Sequence, residues 1–80
     1  MKKYYNYELN YSKLLGRIKE KCGTRENLVK KITISSTSLN LRLKNQLNFN
    51  QRDIVELCEA LDIPPEEIPV YFFTPKVMKT

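Results

Sequence analysis

Two pairs of apolar residues, each pair set four apart and divided by a polar break, constrain this chain more than any other feature. In the segment Thr24 to Asn45, TRENLVKKITISSTSLNLRLKN, Leu28 and Ile32 form the first pair and Leu39 and Leu43 the second, with Ile34 between them. Four-residue spacing returns a side chain to the same face of an α-helix, so each half of the segment reads as a short amphipathic helix. A turn of about four residues joins them, and both bury one face while the second shows its other face to solvent. This is the layout of a helix-turn-helix, whose second helix suits the DNA major groove.

The remaining chain supplies elements to pack against that pair. Leu14, Leu15, Ile18 and Cys22 mark a first helix that starts at Asn10 or Ser12 and ends at Gly23. Thr24 and Ser35 are placed to cap the second and third helices, the third reaching Lys44 with Asn45 left-handed beyond it. Asn50 caps a fourth, in which Ile54, Leu57, Cys58 and Leu61 recur at helical spacing. Pro65, Glu66 and Glu67 open a fifth of one or two turns, because Pro69 sits too deep for a longer one. Val70, Phe72 and Phe73 are expected to close the core or an interface. The expected fold is all-α, a five-helix domain over residues 10–73, with an extended arm at 1–9 and a tail at 74–80.

Charge is unevenly divided. Residues 1–44 hold eleven Lys/Arg against three acids, a balance of +8, whereas residues 45–80 hold three against six, a balance of −3. Clustered positive charge favours a polyanion, since neutralised phosphates release their counterions. No stretch approaches the roughly 18 residues of apolar sequence that a membrane span requires. The start, MKKYYNYELNY, has no apolar run behind its lysines and is not a secretory signal, so a cytoplasmic location is expected. Cys22 and Cys58 fall on apolar stripes and read as packed thiols, and with no histidine present they do not make a zinc site.

With Leu39 facing the core, Ser36, Thr37, Asn40, Leu41 and Lys44 point outward from the third helix. Asn40 suits a bidentate pair with adenine, Ser36 and Thr37 suit several base edges, and Leu41 suits a thymine methyl. Arg25, Arg42 and Lys44 are placed for phosphates.

The run from Tyr11 to Phe73, about four-fifths of the chain, resembles the small phage and prophage repressors of the Cro/XRE helix-turn-helix superfamily, in the branch found in phages of low-GC Gram-positive bacteria. The marks are the capped start Thr24-Arg25-Glu26-Asn27-Leu28, the Ile34-Ser35 turn leading to Leu39, the entry from Phe49 to Ile54, and the ending Glu66-Glu67-Ile68 with Tyr71-Phe72-Phe73. The resemblance implies a phage-repressor-like fold and a dimer that binds double-stranded operator DNA. By position it puts base contacts on Ser36, Thr37, Asn40 and Leu41, and phosphate contacts on Arg25, Lys44 and the backbone near Asn45. Three departures from the pattern stand out: Thr33 stands where a turn glycine is expected, Arg25 follows the cap in place of glutamine, and Lys44-Asn45 replaces an asparagine-glycine pair.

A related small protein in some of these phages modulates repression by binding the repressor protein instead. That alternative, or an antitoxin-like subunit, would use the apolar tail, the tyrosine arm, or the acids Asp53, Glu56, Glu59, Asp62, Glu66 and Glu67. Tyr5, Tyr7, Phe72, Phe73 and Val77 are the candidates for a homodimer contact. An enzyme is not expected, because histidine is absent and only Gly16 and Gly23 are available where a phosphate-cradling loop would need several glycines. No cofactor is implied.

Overall fold

Side chains that satisfy helix ends divide this chain into its elements. In a computed structural model that describes residues 8–76, helix α1 spans Ser12–Cys22 and stops at Gly23, whose φ of 83° favours glycine. Helix α2, Arg25–Val29, begins where Thr24 Oγ1 accepts from Asn27 N at 3.1 Å. Helix α3, Ser36–Leu43, begins the same way, with Ser35 Oγ accepting from Ser38 N at 3.1 Å. Helix α4, Gln51–Leu61, carries a reciprocal capping box: Asn50 Oδ1 accepts from Asp53 N, and Asp53 Oδ2 accepts from Asn50 N. A 3-10 turn over Pro65–Glu67 then leads into α5, Ile68–Phe72. The change of helix type there lets Pro69 fall in the first turn of α5, where its missing N–H costs nothing.

The core draws on every helix. Leu14 and Ile18 of α1, Leu28 of α2, Leu39 of α3, Leu57 and Leu61 of α4 and Phe72 of α5 are all buried. Burial of one such side chain is worth roughly 1.5–3 kcal/mol, so loss of any one weakens a domain this small. Phe49, before α4, stands edge-on to both Tyr11 and Phe72 with ring centroids 5.4 Å away in each case. α1 touches α2, α4 and α5, and α3 packs on α2. Of the residues expected to close the core or an interface, Phe72 enters the core; Ile68 and Tyr71 of α5 pack partly buried against it, while Phe73 is 54% exposed. Val70 is exposed as well.

Polar contacts between distant residues hold the elements in register. Arg17 of α1 donates from Nε to the Leu61 carbonyl at 2.9 Å and from Nη2 to the Asp62 carbonyl at 2.6 Å, placing a cation on the negative end of α4. Asn45, left-handed at φ 64°, grips Leu9 from both sides of its amide: Oδ1 accepts from Leu9 N at 2.9 Å and Nδ2 donates to Leu9 O at 3.0 Å. Leu9 in turn lies opposite Pro75 in an antiparallel bridge, flanked by Asn10 N to Thr74 O and Lys76 N to Glu8 O. Residues 8–10 are therefore docked between Asn45 and residues 74–76. Tyr5, Tyr7 and Val77, considered above for a dimer contact, lie outside the described residues. No helix among the described residues is long and apolar enough to cross a membrane.

The tie between α3 and α4 is the most buried of these contacts. Arg42 Nε donates to Asp53 Oδ2 at 2.8 Å, with the two side chains only 14% and 10% exposed. Arg42 Nη1 donates to the Ser38 carbonyl at 3.0 Å and also to the Ser38 hydroxyl. Asp53→Ala removes a helix cap and strands a charge together. It is expected to lower unfolding stability by about 3 kcal/mol, read as a shifted urea midpoint with two-state behaviour retained.

Candidate functional site

The turn ahead of α3 decides how that helix is presented. Six residues, 30–35, separate α2 from α3, longer than expected from the sequence. The cause lies at Thr33. Among the described residues only Asn45, Asp62 and Gly23 have positive φ, so Thr33 does not copy a left-handed glycine. Instead its N–H donates to Glu56 Oε1 at 2.9 Å and its hydroxyl donates to Glu56 Oε2 at 2.7 Å. A carboxylate of α4 thus organises the turn.

The eight side chains considered for DNA contact do not share one open face. Ser36 and Thr37 are exposed on the first turn of α3, as are Arg25 at the start of α2 and Lys44 at the end of α3. Asn40 is half-buried, and its Oδ1 accepts from Arg25 Nη1 at 2.7 Å. A bidentate adenine contact asks that same oxygen to accept from the base, so Arg25 competes for it. Leu41 is half-buried. Arg42 is directed inward onto Asp53 and Ser38, away from any phosphate, because the α4 capping box leaves a buried carboxylate that needs a cation. Both polar atoms of the Asn45 side chain are engaged by Leu9.

The acidic side is also reduced. Asp53 is buried, Glu56 is held by Thr33, and Asp62 lies 3.4 Å from Lys21 Nζ. Glu59, Glu66 and Glu67 are exposed and make no ion pair among the described residues. Glu59 lines an apolar cavity of about 290 Å³ together with Val55, Cys58, Ile63, Pro65 and Ile68, and Glu66 and Glu67 fall in the chain between the last two of these. Val55 forms its lip at 51% exposure. The sequence carried a sign of this surface, since Val55 interrupts the polar side of α4 beside the stripe of Leu57 and Leu61. Burial raises the Cys58 thiol above its ordinary pKa, which favours the neutral form, and both cysteines are free and half-buried.

A family described as "Protein of unknown function (DUF739)" matches residues 7–75. The chain is also similar to the modulator of repression (MOR) of the temperate bacteriophage TP901-1 from Lactococcus lactis, known from a solution structure. The identity is 36% over 88% of this chain and 95% of that one, with a TM-score of 0.73. No curated protein sequence matches.

The Thr33–Glu56 tie carries its own test. Its two hydrogen bonds hold the Glu56 carboxyl below its ordinary value, with a smaller pull from Arg52. A carboxyl that ionises more readily when folded stabilises the fold above its unfolded pKa, and the contribution is lost as pH falls through the lowered folded value. Glu56→Gln is therefore expected to destabilise the chain at pH 7. The gap from wild type should shrink below about pH 4, where the unfolded carboxyl is protonated. Urea midpoints across that range test this; a gap independent of pH contradicts it.

Proposed function

Since the chain belongs to the DUF739 family, we propose that it is a phage regulatory protein that modulates repression by binding a repressor protein. The observation that carries this reading is the likeness to the TP901-1 modulator of repression, which extends over 95% of that chain at 36% identity. Two features of the side chains support it. Arg42, which a helix-turn-helix would turn toward phosphates, is bound within the fold, and Asn40 already serves Arg25. Val55 of α4 and Val70 and Phe73 at the end of α5 are exposed apolar side chains, and Glu59, Glu66 and Glu67 make no ion pair among the described residues, a composition suited to a protein partner.

A second reading, direct binding of operator DNA, is favoured by one observation. Arg25, Ser36, Thr37 and Lys44 remain exposed within a half of the chain that carries a balance of +8. The two readings differ in what the chain must touch. A modulator alters repression without a DNA site of its own, whereas a direct regulator selects one.

Mixing the purified chain with the repressor of the same phage or prophage tests the proposal. Co-elution on size exclusion, with reduced operator binding by the repressor, is the expected result. Separate elution, together with enrichment of one consensus by the chain alone from a random DNA pool, overturns it. In that event Asn40→Ala should cost roughly 1–3 kcal/mol on the selected site, and Lys44→Ala should weaken all sequences alike.

A further inference from the structure

The cavity beside α4 offers a floor and a rim of different chemistry. Its floor is apolar, built by Cys58 of α4 and by Ile63, Pro65 and Ile68 of the segment that follows. These residues come together because α4 ends in a left-handed Asp62, φ 55°, which folds Ile63 back beneath the helix. At about 290 Å³ the volume lies at the small end of the ~300–1,000 Å³ usual for ligand sites. It is open rather than enclosed, with Val55 at its lip half exposed. Such a shape suits one or two anchoring side chains from a larger partner better than an engulfed small molecule.

The rim specifies the sign of the partner's charge. Glu59 lines the cavity, Glu66 and Glu67 stand between Pro65 and Ile68, and none of the three makes an ion pair among the described residues. The nearest cation along α4, Arg52, is 4.0 Å from Glu56, and Lys21 and Arg17 are directed to Asp62 and the end of α4. No basic side chain lines the cavity. An apolar floor with an acidic rim complements a helix whose apolar stripe is bordered by Lys or Arg.

We propose that this groove is the docking site for a basic amphipathic helix of the repressor, which inserts an apolar side chain over Val55 and Cys58 while its cations meet Glu59, Glu66 and Glu67. The assignment rests on the reading of the chain as a repressor-binding modulator and adds to it the contact surface and the chemistry of the partner segment. Affinity should accordingly fall as salt rises, since the rim contacts are exposed and screened.

Val55→Asp tests the floor and Glu59→Lys the rim. Val55 is exposed enough that its replacement leaves the core intact, which unchanged thermal unfolding verifies. Binding to the purified repressor of the same phage or prophage is expected to weaken about tenfold or more for each variant. Cys58 supplies an independent readout. The repressor should slow its alkylation by a maleimide while Cys22, on α1, reacts at its original rate. Wild-type binding with both variants unimpaired, or with Cys58 unprotected, overturns the groove as the docking site and leaves the modulator reading standing. No binding by the wild-type chain overturns both. A wild-type homodimer that Val55→Asp dissolves would seat a second copy in the groove and overturn the assignment to the repressor.

Discussion

The Asp53 carboxylate accepts from the Asn50 backbone and from the Arg42 guanidinium, and the seating of α3 on α4 depends on that double engagement. A carboxylate this deeply buried is tolerated only with its acceptor sites filled, because the desolvation of a lone charge costs several kcal/mol. Arg42 supplies the counter-charge and is itself restrained by the Ser38 carbonyl. The interaction reaches beyond stability, since it withdraws a cation from the surface of the helix that would otherwise offer it to a polyanion.

The same logic operates at the other junctions. Arg17 closes the negative end of α4, Glu56 closes the turn before α3, and Asn45 closes the docking of residues 8–10. Each is a polar side chain that satisfies backbone groups far away in sequence, in a domain whose apolar core alone is small. The five-helix scaffold is thereby held together by several side chains that the sequence leaves free to point outward. What stays accessible is divided between a basic surface near Arg25 and Lys44 and an apolar, acid-bordered surface along α4 and α5.

Local signals were legible from the residues themselves. The stripes of Leu14 with Ile18, Leu39 in α3, and Leu57 with Leu61 identify the buried faces, and Thr24, Ser35 and Asn50 identify the helix starts. The left-handed Asn45 and the short α5 around Pro69 follow from residue conformational preferences. The side-chain partners were not legible. Arg42, Asn45 and Asn40 carry groups that serve DNA or the fold equally well, and their use depends on Asp53, Leu9 and Arg25 at separations of 11, 36 and 15 residues. Glu56 gave no sign of its role, since only the replacement of a turn glycine by Thr33 created the need for it. Asp53, offered above among the acids for a protein partner, is instead taken up by the capping box with Asn50, a use that its position in the first turn of α4 permits but does not dictate.

Whether the α4 surface takes up a repressor, as proposed, is read most directly from backbone amide resonances of an isotope-labelled chain. Added repressor is expected to shift or broaden amides around Val55, Glu59, Ile63 and Ile68 while those of Ser36 and Thr37 stay in place. Undisturbed spectra with the repressor, and shifts centred on Ser36, Thr37 and Asn40 with a DNA duplex, would contradict it.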